Sequence, residues 1–301
     1  MPVVNQDSDE AFRAGIASGY TALTMRIQLF SDTHLERDPG FRPLVHSDTD
    51  VVILAGDIGS YQPGSRLGGA DFGLERFSPL QPGFPRATVL YVPGNHEFDG
   101  LDYDETYARL RHTCERLGIV WLEREVVTIG QVRFAGTTLW ADFDALARRE
   151  PDLTKRMQQR TKAFRAANYY LNKNTTLKAG EPVLAEAIRE MSLTCQAWLR
   201  EALSVPFDGT TVAVTHFAPS LLSADPRYGL TAGTAGFCNS MDDLFPLVDV
   251  WMHGHLHCAN DYTIRGGEGG PSFACRVVAN PLGYLSKGEQ AGFRAHLVIE
   301  V

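Results

Sequence analysis

The run Thr88-Val89-Leu90-Tyr91-Val92-Pro93-Gly94-Asn95-His96-Glu97 carries the pattern from which the fold follows. Its first five residues are apolar or β-favouring and end on Pro93-Gly94, so a short buried strand entering a tight loop is expected. The loop then offers an amide, an imidazole and a carboxylate in succession. Four more runs repeat the arrangement. Arg26–Phe30 precedes Ser31-Asp32-Thr33-His34, and Val51–Ala55 precedes Gly56-Asp57. Thr211–Thr215 precedes His216, and Val248–Met252 precedes His253-Gly254-His255-Leu256-His257. Sites in open α/β sheets form just beyond the carboxyl ends of the strands. Five strands here deliver Asp, Asn and His to that end.

Taken singly, most of these motifs say little. Asp-x-His occurs by chance in many chains, Gly-Asp is an ordinary turn with an Asx cap, and a lone His216 is more often a hydrogen-bonded core or loop histidine than a ligand. Gly94-Asn95-His96-Glu97 after an apolar strand is the most specific element, and Gly254-His255-Leu256-His257 comes next. The complete ordered set, each member at a strand end, turns the balance toward chemistry.

The series Asp32-x-His34, Gly56-Asp57, Gly94-Asn95-His96-Glu97, Thr215-His216 and Gly254-His255-x-His257 closely resembles the calcineurin-like metallophosphoesterases over nearly all of residues 25–283. The resemblance implies an α/β (α+β) fold, a four-layer β-sandwich of two mixed sheets flanked by helices. It also implies two divalent metal ions. Asp32, His34 and His257 would hold one, and Asn95, His216 and His255 the other, with Asp57 bridging them. His96 would stand beside the phosphate and not on a metal, so that His96, Asp57 and Asn95 form the expected catalytic group. The residue types agree with that chemistry. Carboxylate and amide oxygens mixed with imidazole nitrogens suit Mn first, with Fe or Zn as alternatives. A carboxylate can offer one oxygen to each of two ions, and water between them becomes hydroxide near neutral pH. An imidazole such as His96 can protonate the leaving oxygen. Glu97 is expected to brace its loop through backbone hydrogen bonds and His253 to be structural, while His46, His112 and His296 need no functional role.

The remaining composition sets the context. At 301 residues with 44% hydrophobic and 21% charged residues, the chain can build a sizeable globular core. A net charge of −8 argues against general nucleic-acid affinity, which needs many phosphates neutralised. The five cysteines are widely spaced and form no CxxC pair, so reduced thiols in a cytoplasmic protein are expected. No apolar run reaches the roughly 18 residues of a membrane span. Residues 1–24 read as an extension with a short helix around Ala11–Ala17 and no signal-peptide pattern. The metallophosphoesterase domain is expected over 25–301. Glu123–Trp140 predicts a hairpin around Gly130, 59–87 a long irregular loop, and about 143–205 a helical insertion or cap. Within it Leu184–Leu203 is the clearest amphipathic helix, with Leu184, Ile188, Met191, Cys195, Trp198 and Leu199 on one face. Strands are predicted again at Phe273–Ala279 and Phe293–Val301.

The expected function is hydrolysis of a small phosphate ester, mono or di, by a metal-activated hydroxide. A nuclease of the same superfamily and a non-catalytic scaffold are the alternatives. The run Gly56-Asp57-Ile58-Gly59-Ser60-Tyr61 lacks the second Asp and the Arg of the Ser/Thr protein phosphatase motif, which weakens that branch. Asn280-Pro281-Leu282-Gly283-Tyr284 resembles an Asn-Pro-Arg-Gly-Tyr ending of bacterial members, with Leu282 in place of Arg. Segment 145–178 holds nine basic residues (Arg148, Arg149, Lys155, Arg156, Arg160, Lys162, Arg165, Lys173 and Lys178) against Glu150 and Asp152, a local charge of +7. It is either a solvated face or a cap that attracts anionic substrates, with Tyr169, Tyr170 and Phe98 as candidate stacking platforms.

Overall fold

The computed structural model describes residues 24–173, 176–267 and 272–301, so the helix expected at Ala11–Ala17 lies outside the described residues. Strands β1 (Arg26–Phe30), β2 (Val51–Ala55) and β3 (Thr88–Val92) run parallel. Phe30 sits opposite Leu54 and Ala55 opposite Val92, so the three motif loops leave the sheet at one level. Strand β4 (Val120–Trp121) continues the sheet beyond β3, and β13 (Val298–Glu300) closes its other edge antiparallel to β1. The second sheet has a parallel centre made of β6 (Val132–Thr137), β9 (Thr210–Thr215), β10 (Val250–His253) and β12 (Phe273–Ala279). Antiparallel partners β5 (Glu125–Ile129) and β11 (Asn260–Gly266) edge it.

Alternation along the strands assigns each face. Ile27 and Leu29 of β1, Val51 and Ile53 of β2, and Leu90 of β3 meet Phe134, Val212, Val214, Met252 and Val278 between the sheets. Each such side chain, fully buried, contributes roughly 1.5–3 kcal/mol. The opposite faces carry the helices. Val52, Leu54 and Tyr91 belong to the outer cluster with Leu110, Cys114 and Leu117 of α1 (Tyr103–Leu117). Trp251 and Ala213 share it with Cys195, Leu199 and Leu203 of α3 (Ala185–Ser204), which packs along β6. The order is helix, sheet, sheet, helix, as expected.

The departures from expectation are local. Helix α1 has no counterpart among the predicted elements. Its buried stripe is Thr106, Leu110, Thr113, Cys114 and Leu117, and two threonines in that stripe mask the apolar period. Asp102 caps it by accepting from Asp104 N and Glu105 N, and Gly118 ends it at φ 69°. On α3 the face includes Ser192 and Gln196, whereas Met191 and Trp198 are only half-buried. The last strand is confined to Val298–Glu300 because the Asn280 side chain pins Arg294, accepting from its N–H and donating to its carbonyl. Strand β10 begins at Val250 because Val248 N closes the 242–247 turn onto Phe245 O. Between β6 and β9 lie α2 (Leu153–Leu171), the small hairpin of β7 (Leu177–Lys178) and β8 (Glu181–Pro182), and α3.

Candidate metal centre

The motif loops are locked together by backbone bonds before any side chain is considered. Asp32 N donates to Gly56 O, His34 N to Asp57 O, Gly254 N to His216 O and Gly283 N to Asp32 O. These ties hold the chain in unusual conformations. Asp32, His34, Asp57, His255 and His257 all have left-handed backbone, with φ between 44° and 72°. Non-glycine residues reach this region at a cost, and such residues cluster where function over-determines the backbone. Two glycines are required by proximity. A Cβ at Gly94 would collide with Asp57 Oδ1, and one at Gly254 would stand 2.6 Å from Asp32 Oδ2.

All seven expected ligands and His96 converge. Asp32, His34 and His257 form one group of ligand atoms, Asp57, His216 and His255 a second, and His34, Asp57 and His96 a third, each within 4.8 Å. Asp57 Oδ2 lies at the junction, 3.3 Å from His216 Nε2 and 4.0 Å from both His34 Nε2 and His96 Nε2. Asn95 Oδ1 joins the second group, 3.2 Å from His216 Nε2.

Outer partners fix which nitrogen each ring presents. His34 Nδ1 faces Glu36 Oε1 at 3.1 Å, His257 Nδ1 faces Glu289 Oε2 at 2.6 Å, and His216 Nδ1 faces Ala55 O at 2.8 Å. An acceptor at Nδ1 holds a proton there, so Nε2 is the nitrogen that each ring turns inward and that a cation would claim. His34 Nε2 and His257 Nε2 stand 2.9 Å apart. The buried atoms Asp57 Oδ2 and His255 Nε2 have no hydrogen-bond partner. Ring nitrogens crowded against one another and buried ligand atoms without hydrogen bonds are what a cation satisfies. The residues present therefore fit divalent metal ions.

The electrostatics are those of a site prepared for cations. Burial pushes Asp32 up, but the hydrogen bond and charge of His257, helped by His216, hold it down at about 2. Asp57 is likewise held well below the usual carboxylate range against its burial by His216, His96 and His34. Burial and the His216 charge push His255 well below its ordinary value, so it stays neutral and free to ligate. His96 goes the other way. Burial lowers it, yet Asp99 and Asp57 raise it to about 10, and its Nδ1 lies 2.5 Å from Asp99 Oδ2.

Glu97 accepts from Asp57 N, Ile58 N and Gly94 N, bracing the second and third loops against each other as expected. His253 is structural: it is fully buried, with Nε2 2.9 Å from Ser223 Oγ and its pKa pushed down to about 4 by burial. Four contributors escaped the sequence reading. Asp99 and Glu36 follow His96 and His34 by three and two residues, a spacing that a turn makes productive. Glu289 carried no such signal, whereas Tyr284, whose ring stacks on His34 at 4.2 Å, ends the Asn280–Tyr284 run noted in the sequence but was given no role there.

The basic segment is partly accounted for by ion pairs. Arg160 and Arg189 grip Asp144, Arg148 pairs with Asp142, and Lys178 with Asp104. Lys155, Arg156, Lys162 and Arg165 are exposed on α2. That helix packs on the 232–236 turn, which leads into Phe237, stacked on His255 at 4.9 Å. Phe98 is no stacking platform, since it is buried against Tyr103 and Trp140. Tyr169 and Tyr170 are exposed and not packed in the core.

An α/β sandwich whose strand ends gather carboxylates and imidazoles around orphaned ligand atoms defines a metal-dependent hydrolase. The sequence model of the calcineurin-like phosphoesterases matches residues 25–259, and the chain belongs to that family of metal-dependent phosphoester hydrolases. Among solved structures it is similar to a phosphopantetheinyl hydrolase from Mycobacterium tuberculosis, with a TM-score of 0.62 and 18% identity over 92% of this chain and 96% of that one. At that identity the likeness concerns the fold. No curated protein matches the sequence.

Proposed function

We propose that the chain hydrolyses a small phosphate ester, diester or monoester, at two divalent ions. Asp32, His34 and His257 would hold one, Asn95, His216 and His255 the other, and Asp57 would be shared by both. The observation that carries this reading is Asp57 Oδ2, buried, without a hydrogen-bond partner, and shared between ligand groups on either side. When bound, the ions supply positive charge to the phosphoryl oxygens and acidify water to a nucleophile. Carboxylate, amide and imidazole donors favour Mn, with Fe or Zn as alternatives.

The protein's own groups do the rest. Against its burial, Asp99 and Asp57 raise His96 to about 10, so both ring nitrogens carry protons at neutral pH, and Nε2 donates its proton to the departing oxygen. His96 N donates to Asp57 Oδ1 at 2.8 Å, which fixes the carboxylate so that Oδ2 remains directed at the ions. The test is turnover of bis(p-nitrophenyl) phosphate and p-nitrophenyl phosphate by Mn²⁺-reconstituted protein beside a chelated control. Hydrolysis that disappears with the chelator is the expected result, and the ratio of the two rates distinguishes diester from monoester preference. Hydrolysis that survives metal removal would contradict the reading.

A further inference from the structure

On the His34 side the ligand groups open into a cavity of about 300 Å³, within the range that holds a small ligand. Its walls include His34, Arg37, Asp38, Arg66, Tyr284 and Ser286. Tyr284 links cavity and centre, stacked on His34 with Lys287 Nζ 4.6 Å from its ring centroid. Two guanidiniums thus face one carboxylate, in a chain whose net charge is −8. Among the described residues Asp38 makes no ion pair with either; its Oδ1 accepts from Gly40 N at 3.3 Å. Arg37 reaches only Gln62 Oε1, at 3.4 Å, and among the described residues neither Arg37 nor Arg66 makes an ion pair.

Unpaired surface arginines are ordinarily solvated and bind nothing. These two differ in lining the same concave wall as His34, a candidate metal ligand, so an anion bound in that cavity would lie beside the centre. Guanidinium forks match the oxygens of a phosphate two at a time. We propose that this cavity binds a second phosphate group of the substrate, so that the preferred substrates are small esters bearing a phosphate besides the one attacked. The proposal rests on the phosphoester hydrolase reading of the centre.

Thymidine 5′-(p-nitrophenyl phosphate) with and without a 3′-phosphate differs in that group alone. With Mn²⁺-loaded wild-type protein, the 3′-phosphate is expected to raise kcat/KM for p-nitrophenol release about tenfold, mainly through KM, as charged hydrogen bonds of this kind do. In Arg37→Ala/Arg66→Ala the ratio between the two esters is expected to fall to near one. Arg37→Lys/Arg66→Lys should recover part of it, which a purely structural role would not explain. Equal kcat/KM for both esters in the wild type, or a preference that survives the double alanine variant, would overturn the proposal while leaving the hydrolase reading intact. Absence of any turnover of either bis(p-nitrophenyl) phosphate or p-nitrophenyl phosphate by the same preparation would instead remove that reading, and this inference with it.

Discussion

At the scale of single residues, the centre depends on which atom of each side chain faces inward. Three imidazoles are oriented by acceptors on Nδ1, from Glu36, Glu289 and the Ala55 carbonyl. His96 also has a carboxylate on Nδ1, and there, against burial, Asp99 and Asp57 together raise it to about 10. Replacing His96 with Ala is therefore expected to keep both ions, read by elemental analysis, and to lower kcat by about 10²–10⁴. Full activity in that variant would refute the proton-donor role. Asp99→Asn removes the charge that lifts His96 toward about 10. The basic limb of the kcat–pH profile is then expected to move to lower pH by about one unit or more, since a neutral partner stabilises imidazolium less. An unmoved limb would show that another group sets it. The ligands were legible as residue types at strand ends, whereas their orienting partners were not. Glu289 is 32 residues from His257, and nothing in local spacing connects them.

At the scale of elements, the parallel strands were readable because five-residue apolar runs between turn residues admit few other structures. Helix α1 was hidden by its polar buried stripe, and the end strand was overextended because a side-chain clamp from Asn280 has no local signature. The basic composition around α2 was equally legible, but its partners were not. Asp144 takes Arg160 and Arg189, which joins α2 to α3. Burial pushes the Asp144 carboxyl up, but those two hydrogen-bonded guanidiniums outweigh it and lower its pKa. A depressed carboxylate adds stability that is present above its unfolded value, near 3.8, and fades as pH falls through the lower folded value. Asp144→Asn is thus expected to lower Tm at pH 7, and the gap from wild type should narrow only as pH drops below that unfolded value. A gap that stays constant down to such acid pH would assign the effect to packing and not to charge.

At the scale of the whole molecule, two sheets converge so that five strand ends from distant parts of the sequence share one rim. The inter-sheet core places them there. Phe134 is fully buried in it, and Phe134→Ala is expected to cost about 3–5 kcal/mol in denaturant unfolding. Among the described residues no helix is long and apolar enough to cross a membrane. The net negative charge coexists with cations concentrated at the Tyr284 cavity and along α2, so overall charge is a poor guide to what the site attracts. The proposed function depends on a centre of two ions, in which Asp57 is the proposed shared ligand. The direct test is the metal content of wild type and Asp57→Asn after Mn²⁺ loading and gel filtration. Two ions per chain in the wild type and one or fewer in the variant is the expected result. One ion in the wild type, or two retained without the Asp57 carboxylate, would contradict a centre bridged by that residue.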